Sequence, residues 1–300
     1  MSIFVSIASY RDSECQDTIE DLLNKSSKDN DISIGLFAQY FPEDDFDWKI
    51  NDLDQVKVIY CDAKISRGAG WGKSVANMLY SGQDYFLVID SHMRFVKNWD
   101  QTMIEMLKST PSSKPIISSY PPEYTLPDLC EDYLVHMGAK KFGDNGILEF
   151  QGIRVDGKFE KDAPRRTPFV AGGFIFSLGQ LFCECPFDPL IYFYGEEISF
   201  SARSFTHGWD SFSPNLRVIN HYYDRSGCPK QWDDDATWFE KDSLSVQRVK
   251  DLFSGKDLGS YGFGMRRSLK EFEEFSGINF KDRIIQDFAI IGNFEKEATK

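Results

Sequence analysis

Apolar residues in the first hundred positions occur in short runs that alternate with amphipathic stretches. The runs at residues 2–9, 31–40, 56–62 and 84–90 are bounded by polar or turn-forming residues, and this pattern predicts buried strands. Strands that alternate with helices predict an α/β fold built on a mostly parallel, doubly wound sheet. Ligands of such sheets bind beyond the carboxyl ends of the strands, so we expect a functional site there.

Three stretches between the strands have the apolar spacing of helices. Ser13 and Gln16 predict a capping box at the start of the first helix. The glycine-rich segment 67–81 and a segment that starts near Trp99 predict the next two helices. The apolar faces of the first two helices are predicted from Ile19, Leu22 and Leu23, and from Trp71, Val75, Met78 and Leu79.

The second half of the chain is less regular. Residues 110–167 hold many Pro, Gly and charged residues, so we predict an irregular region there. Residues 168–177 predict a strand with the pair Gly172-Gly173 inside it, and glycine at such a place often lets a ligand approach the backbone. A helix is expected after Gly195.

We expect one core domain and one extension that packs on it. Residues 216–223 predict a strand that ends on His221. From residue 236 onward the pattern is mostly helical. The predicted division is therefore a core over residues 1–235 and a helical extension over residues 236–300.

Composition and charge restrict the functions that fit the chain. The 300 residues carry a net charge of −13, which argues against nonspecific nucleic-acid binding because that binding needs a basic surface. The chain has no run of about 18 apolar residues, so no membrane span is predicted. The opening MSIFVSIASYRDSE has no basic segment and is typical of a strand, not of a signal peptide. We therefore expect a cytoplasmic protein whose six cysteines are reduced.

An acid and an imidazole stand together where the fourth predicted strand ends, in the sequence DYFLVIDSHMRF. Asp90 and His92 are two positions apart and point the same way if the strand geometry continues. Carboxylate and imidazole ligands suit a Mn²⁺-like divalent ion. Such a pair alone is more often a surface acid and a structural histidine than a pair of metal ligands. A third ligand would favour the metal site. His221 is the best third ligand because it also ends an apolar strand, whereas we interpret His136 and His207 as structural or exposed.

The segment GAGWGKS, residues 68–74, is similar to a phosphate-binding loop but does not match it. That motif needs a glycine at the position where this chain has Arg67. An ordinary P-loop nucleotidase is therefore not predicted. Arg67 remains either a diphosphate contact or a surface arginine.

Two acidic groups also have two interpretations. Glu196 and Glu197 either lie at a solvated helix N-terminus, where the helix dipole favours carboxylates, or accept hydrogen bonds from sugar hydroxyls. We interpret the run at residues 233–235, three aspartates, as a solvated loop.

Several motifs together resemble one family of enzymes. IDSHMRF, the AGG segment at residues 171–173, GEEISFSAR and NHYY occur in the order found in the cytosolic N-acetylglucosaminyltransferases that modify hydroxyproline on Skp1. SIASYRD near the start and RRSLKEFEEFSGINF near the end are similar to that family as well. The AGG and GEE segments are also similar to those of the polypeptide N-acetylgalactosaminyltransferases.

The resemblance implies a GT-A fold, a UDP-sugar donor and a divalent metal, Mn²⁺ or Mg²⁺. Asp90, His92 and His221 would hold the metal. Gly72-Lys73 stands where the family has Ala-Arg, which keeps a positive charge without its bidentate geometry. The other implied positions are Ser9, Tyr10 and Arg11 beside the nucleotide, Arg67 beside the diphosphate, and Gly172, Gly173 and Glu196 beside the donor sugar; Asp90, His92, Arg67 and Glu196 would take part in catalysis.

The implied reaction is the retaining transfer of GlcNAc from UDP-GlcNAc to a hydroxyl of a protein acceptor, either hydroxyproline or Ser/Thr. A glycan or a lipid-linked acceptor is the alternative within the same enzyme class. A catalytically inactive nucleotide-sugar-binding protein on the same fold is the alternative from another class.

Overall fold

A computed structural model describes residues 1–44, 49–155 and 163–294. Within these ranges the strands are β1 (Ser2–Tyr10), β2 (Asp31–Tyr40), β3 (Val56–Asp62), β4 (Tyr85–Ile89), β5 (Met93–Phe95), β6 (Pro115–Ser118), β7 (Tyr124–Thr125), β8 (Leu129–Cys130), β9 (Leu134–Phe142), β10 (Leu148–Val155), β11 (Arg165–Arg166), β12 (Phe174–Leu178), β13 (Asp210–Ser213), β14 (Ile219–His221), β15 (Ile278–Asn279) and β16 (Ile284–Ile285). The α-helices are α1 (Cys15–Lys25), α2 (Ala69–Asn77), α3 (Trp99–Ser109), α4 (Leu181–Glu184), α5 (Glu196–Thr206), α6 (Gln231–Asp234), α7 (Trp238–Phe253), α8 (Leu269–Ser276) and α9 (Asp287–Ile290).

The largest sheet has eight strands in the order β11-β13-β6-β12-β4-β1-β2-β3. β1 pairs in parallel with both β2 and β4, and β2 pairs in parallel with β3. β12 runs antiparallel to β4 and β6, β13 is parallel to β6, and β11 is antiparallel to β13. Only β11 and β12 therefore run against the direction of the other six, and the predicted mostly parallel α/β sheet is confirmed.

Both faces of the central strands are buried, which explains their continuous apolar runs. Ile3, Val5 and Ile7 of β1 pack in one core cluster with residues of α1 and α3. Phe4, on the other face, packs in a second cluster with Phe86 of β4 and with residues of α4. The sheet is thus covered on both sides, and its polar residues concentrate where the strands end.

The ends of three strands meet at one edge of the molecule. β1 and β4 are neighbours, with Ile7 opposite Ile89. β5 follows β4 after a short turn and pairs antiparallel with β14, with Met93 opposite His221. The residues that follow β1 and β4 therefore lie beside the last residue of β14.

Several local predictions agree with the structure and others are wrong. β2 and β3 match the predicted segments 31–40 and 56–62 residue for residue. The pair Gly172-Gly173 lies before β12 and not inside a strand. The irregular region predicted for residues 110–167 is wrong, because β9 and β10 form a long antiparallel pair within it.

The predicted capping box of α1 is wrong. The helix begins at Cys15, and its N-cap residue Glu14 makes no side-chain capping bond. Instead, Oδ1 of Asp12 accepts the Glu14 backbone N–H at 3.0 Å, and Oε1 of Gln16 accepts the backbone N–H of Lys49. A turn built on Asp12 therefore starts this helix.

The predicted apolar face of α2 is also wrong. The buried residues of the helix are Gly70, Gly72, Lys73 and Ala76, whereas Met78 is 77% exposed. A Cβ added to Gly70 would lie 2.4 Å from a backbone oxygen of residue 191, so large side chains have no room on this side. Small residues and one lysine form the buried face because the helix lies against the backbone of its neighbours.

The extension after residue 235 is helical as predicted, over the part that the structure describes. Val249 of α7 and Phe272 of α8 share a core cluster with Phe169 and Ile198 of the first 235 residues. None of the helices in the described ranges has both the length and the apolar character needed to cross a bilayer. The last residues, 295–300, lie outside the described ranges.

Candidate active site

Three possible metal ligands meet at the edge of the sheet. Asp90 follows β4, His92 precedes β5, and His221 is the last residue of β14. One ligand atom from each lies within 4.8 Å of the others. Nε2 of His221 is 3.0 Å from Nε2 of His92 and 3.2 Å from Oδ2 of Asp90. The structure thus brings together the three residues that the sequence placed at strand ends.

The spacing and the protonation of this cluster suit a divalent cation. Two ligands at right angles around an ion with bonds of about 2.1 Å lie about 3 Å apart. Burial alone would raise the pKa of Asp90, but the hydrogen bond with His221 and the charge of Lys73 outweigh it and hold that pKa well below its usual value. Burial lowers the pKa of His221. An ionised carboxylate and a neutral imidazole are the forms that bind a metal.

The cluster borders a cavity of about 590 Å³. The walls include the ends of β1 and β2, α2, the turn before β12, the start of α5, the start of β10, and residues that follow β6 and β14. Small-molecule sites commonly have this size. The cavity therefore lies where ligands of doubly wound sheets bind, beyond the carboxyl ends of the strands.

Lys73 and Glu196 form a buried ion pair in the wall of this cavity. Nζ of Lys73 donates to Oε1 of Glu196 at 2.7 Å and to the Gly172 carbonyl at 2.9 Å. Burial lowers the pKa of Lys73, but the negative charges of Glu196 and Asp90 outweigh it, and the net change is upward. Lys73 therefore stays positively charged beside two carboxylates.

Glu197 is the second carboxyl at the start of α5. Its Oε2 accepts the Tyr120 hydroxyl at 2.7 Å, and its Oε1 accepts the Gly172 backbone N–H at 2.8 Å. Burial raises the pKa of Glu197 to about 7, although both hydrogen bonds oppose the rise. This carboxyl therefore titrates near neutral pH, unlike an exposed glutamate.

The end of β1 is tied to α6 across the rim of the cavity. The Tyr10 hydroxyl donates to Oδ2 of Asp234 at 2.8 Å. Arg11 lies between two carboxylates, with Nε 2.9 Å from Asp44 and Nη1 2.9 Å from Asp234. The interpretation of the aspartate run as a solvated loop is therefore wrong for Asp234, which lies in a helix and binds two side chains of the site.

Comparison of the whole chain with known proteins identifies its family. A family model described as Glycosyltransferase (GlcNAc) matches residues 2–53 and 48–282. The chain belongs to this glycosyltransferase family. No curated protein sequence matches this glycosyltransferase.

Solved structures show the fold of this glycosyltransferase. A crystal structure of GalNAc-T7 with UDP, GalNAc and Mn²⁺ superposes with a TM-score of 0.60 at 16% identity, over 91% of this chain and 54% of the other. This glycosyltransferase thus spans about half the length of that chain. Two structures of S. aureus TarS 1-349, with UDP-GlcNAc and with UDP, give TM-scores of 0.47 and 0.46 at 13% and 11% identity, over 85% of this chain and 74% and 72% of the TarS chain. The superposition with GalNAc-T7 confirms the GT-A fold that the motifs implied.

Most of the site residues predicted from the sequence line the cavity beside Asp90 and His221. Four of the predicted residues, Ser9, Arg11, Arg67 and His92, are not among those that line it. Arg67 is exposed, and its guanidinium lies 5.7 Å from the Trp71 ring centroid. Ser9 is buried, and its Oγ is hydrogen-bonded to the Tyr40 hydroxyl at 2.8 Å. The roles assigned to all the predicted site residues stay predictions. The predicted residues in the lining are Tyr10, Lys73, Asp90, Gly172, Gly173, Glu196 and His221.

The sequence did not point to Asp12, whose carboxylate lies 2.7 Å from Nδ1 of His92. A signal was available, because Asp12 follows β1, and β1 is the neighbour of β4, which Asp90 follows. Acidic residues after two adjacent parallel strands share one edge of the sheet. The bond between Tyr120 and Glu197 had no such signal, since it joins residues 77 positions apart.

Proposed function

We propose that this glycosyltransferase is a metal-dependent, retaining enzyme that transfers GlcNAc from UDP-GlcNAc to a hydroxyl of a protein, hydroxyproline or Ser/Thr. The observation that supports it most is the cluster of Asp90, His92 and His221 beside a cavity that also holds Lys73 and Glu196. The family match supports the sugar. GalNAc-T7, which shares the fold, was crystallised with UDP, GalNAc and Mn²⁺.

Each part of the site has a proposed role. A divalent ion bound to the cluster would stabilise the negative charge of the departing diphosphate. Oε1 of Glu196 is held by Lys73, which leaves Oε2 as an acceptor for a sugar hydroxyl. Gly172 and Gly173 let the sugar lie close to the backbone. Tyr10 and Arg11 would border the nucleotide, and Arg67 would lie near the diphosphate.

The carboxylates of the region support a front-face mechanism. A double displacement needs a carboxylate close beneath the anomeric carbon. Glu196 is paired with Lys73, and both oxygens of Glu197 already accept hydrogen bonds. Asp210 lies outside the cavity lining and is paired with arginines. We therefore propose that the acceptor oxygen bonds to the anomeric carbon on the face where the bond to UDP breaks, and that its proton passes to the departing phosphate.

The location is proposed on separate grounds. All six cysteines are free thiols. Free thiols in this number support a reducing compartment, the cytoplasm.

Mn²⁺-dependent thermal stabilisation by UDP tests the metal site. We expect His221→Ala to abolish this stabilisation while the protein without ligands still folds. His207→Ala, at the carboxyl end of α5, is the matched control and should behave like the wild type. An unchanged stabilisation in His221→Ala would refute the metal assignment.

Product analysis tests the reaction. The wild type should release UDP from UDP-GlcNAc in Mn²⁺, faster with a hydroxyproline or Ser/Thr peptide than without one, and proton NMR of a fresh product should show an α-linkage. A β-linkage would refute retention, and a glycosyl group trapped on Glu197 would refute front-face attack. Binding of UDP-GlcNAc by calorimetry without any turnover would favour the inactive sugar-binding alternative.

A further inference from the structure

We propose that Asp12 is a positioning residue that acts through His92. It fixes the imidazole with the proton on Nδ1, so that the Nε2 lone pair faces Asp90 and His221. This inference rests on the proposed metal site, and it concerns a residue that takes no part in binding the ion itself.

The hydrogen bonds of Asp12 determine which ring nitrogen of His92 carries the proton. Its Oδ2 accepts the Ser91 hydroxyl at 2.6 Å and an Arg225 Nη1 hydrogen at 2.9 Å, and it lies 2.7 Å from Nδ1 of His92. A carboxylate in this setting can only accept, so Nδ1 must carry the hydrogen. Nη1 of Arg225 also lies 3.1 Å from Nδ1 of His92, but this contact joins two donors and is not a hydrogen bond in that tautomer.

Neighbouring groups compensate the negative charge of the buried Asp12 carboxylate. The residue is 1% exposed, and a buried carboxylate is costly unless it is paired and hydrogen-bonded. Arg225 supplies the pairing charge, and Oδ1 accepts the Glu14 backbone N–H. One carboxylate thus joins the residues after β1, the residues after β4 and the segment after β14. A ligand ring held in this way keeps its orientation before any ion binds.

The imidazole rings of His92 and His221 are held in place by different contacts. Nδ1 of His221 is buried and has no hydrogen-bond partner among the described residues. Its ring is held by Nε2, which lies 3.2 Å from Oδ2 of Asp90, and by packing against Tyr223, whose ring centroid is 4.2 Å away. Loss of Asp12 should therefore disturb the His92 ring and leave the His221 ring in place.

The tautomer can be read without metal or substrate. Long-range proton–nitrogen NMR at about pH 8, where an ordinary imidazole is neutral, separates the two tautomers of a histidine. The chain has only 4 histidines, and a His92→Gln variant assigns the signal. We expect the Nδ1–H form for His92 in the wild type, a mixture in Asp12→Ala, and recovery in Asp12→Asn, whose amide oxygen can still accept. The Nε2–H form in the wild type, or no change in Asp12→Ala, would overturn the proposal.

Metal affinity gives the second readout. Electron paramagnetic resonance counts free Mn²⁺ during a titration with UDP present. We expect Asp12→Ala to weaken Mn²⁺ binding about 10–100-fold, as is usual for the partner of a metal-binding histidine, and Asp12→Asn to weaken it less. Asp188→Ala is the matched control, because Asp188 is buried and paired with Arg248 away from the cavity lining.

The outcomes separate this inference from the proposed function. If the wild type binds no Mn²⁺, the metal assignment fails and the tautomer alone decides the role of Asp12. If the wild type binds Mn²⁺ and Asp12→Ala binds it equally well, the inference fails. Equal losses in Asp12→Ala and Asp188→Ala would show a general loss of structure and would also refute it. If Asp12→Ala does not fold, Asp12→Asn decides: it should keep the Nδ1–H form of His92 and bind Mn²⁺ more weakly than the wild type, and an affinity equal to that of the wild type would refute the proposal.

Discussion

At the scale of single residues, Gly173 lies so close to the Asp90 carboxylate that a side chain has no room there. A Cβ at this position would lie 2.3 Å from Oδ2 of Asp90. A Cβ on the neighbouring Gly172 would lie 2.9 Å from the Lys73 Nζ and 3.0 Å from Oε1 of Glu196, both at the ends of flexible side chains. The two glycines are adjacent, but of the two only Gly173 constrains the carboxylate of Asp90.

We therefore predict different results for the two alanine variants. Gly173→Ala should displace the Asp90 carboxylate and weaken Mn²⁺ binding at least tenfold, which corresponds to about 1.4 kcal/mol. Gly172→Ala should change Mn²⁺ affinity much less, because Lys73 and Glu196 can shift. Isothermal titration of Mn²⁺ into both variants with UDP present makes the comparison, and equal affinities would contradict it.

The proposed role of Glu196 as an acceptor for a sugar hydroxyl predicts different effects on binding of the sugar and of the nucleotide. Glu196→Gln keeps the shape of the side chain and removes its charge. A lost hydrogen bond to a charged group costs roughly 1.5–3 kcal/mol. We expect use of UDP-GlcNAc to fall about 10–150-fold, with a smaller effect on UDP binding. Glu149→Gln, another glutamate of the lining, is the control. Equal losses for UDP and UDP-GlcNAc would leave Glu196 with only the structural role of pairing Lys73.

At the scale of elements, the sequence predicted best where burial alone decides the structure. β2 was located in full because a strand covered on both faces is apolar over most of its length. β3 lies at the edge of the sheet and is mostly half-buried or exposed, and it was located by its short run of β-branched and aromatic residues. The pair β9 and β10 was missed because β9 is mostly buried over its first six residues only, and β10 is half-buried or exposed at every residue after Leu148. The buried face of α2 was missed because it is made by glycines and a lysine that pairs with a distant carboxylate.

The residues of the candidate site could also be predicted only where the apolar pattern of the sequence marks them. Asp90, His92 and His221 could be predicted because each stands where an apolar run ends. Partners that meet only in three dimensions could not, such as Asp12 with Arg225 or Tyr120 with Glu197. Long-range pairing of polar side chains leaves no periodic trace in one sequence.

The start of α5 depends on its contact with α7. Gly195 precedes α5 with φ of 89°, and a Cβ there would lie 2.6 Å from Cγ2 of Val249. Gly255 has φ of 83° with nothing within 4 Å of an added Cβ. Gly255→Ala should therefore lower the free energy of unfolding only by the cost of a left-handed backbone, about 1–2 kcal/mol. Gly195→Ala should lower it by more.

Chemical denaturation measures both losses. The excess loss in Gly195→Ala over Gly255→Ala reports the contact between the two helices. Val249→Ala should recover part of that excess when it is combined with Gly195→Ala. An equal loss in the two glycine variants would show that α7 does not constrain the start of α5.

At the scale of the whole molecule, the extension and the core share one hydrophobic cluster. Val249 and Phe272 pack with Phe169 and Ile198, on either side of the predicted boundary at residue 235. The family match also runs across that boundary. We therefore propose that the described parts of residues 1–235 and 236–300 unfold together, and the division between them stays a prediction about sequence pattern.

Two buried carboxyls give the stability of the molecule opposite dependences on pH. The pKa of Asp12 is lowered to about 2, because the hydrogen bond with His92 and the charge of Arg225 outweigh the effect of burial. Its contribution is complete above its unfolded value of about 4 and is lost as the pH falls toward 2. The pKa of Glu197 is raised by burial to about 7, so the folded protein holds a proton that the unfolded chain has released. Stability should therefore fall as the pH rises from about 4.5 to 7.

Glu197→Gln should remove the fall in stability that Glu197 causes as the pH rises. The variant lacks the titrating group, so its free energy of unfolding relative to the wild type should rise between about pH 5 and pH 8. Because Glu197 borders the open cavity, solvent reduces the effect, and we expect a relative gain of about 1–3 kcal/mol. Tyr120→Phe removes a hydrogen bond that favours the ionised form, so it should extend the fall in stability to higher pH. Urea denaturation at each pH measures all three proteins without metal, and parallel curves for Glu197→Gln and the wild type would show that Glu197 is already ionised in the folded protein at pH 5.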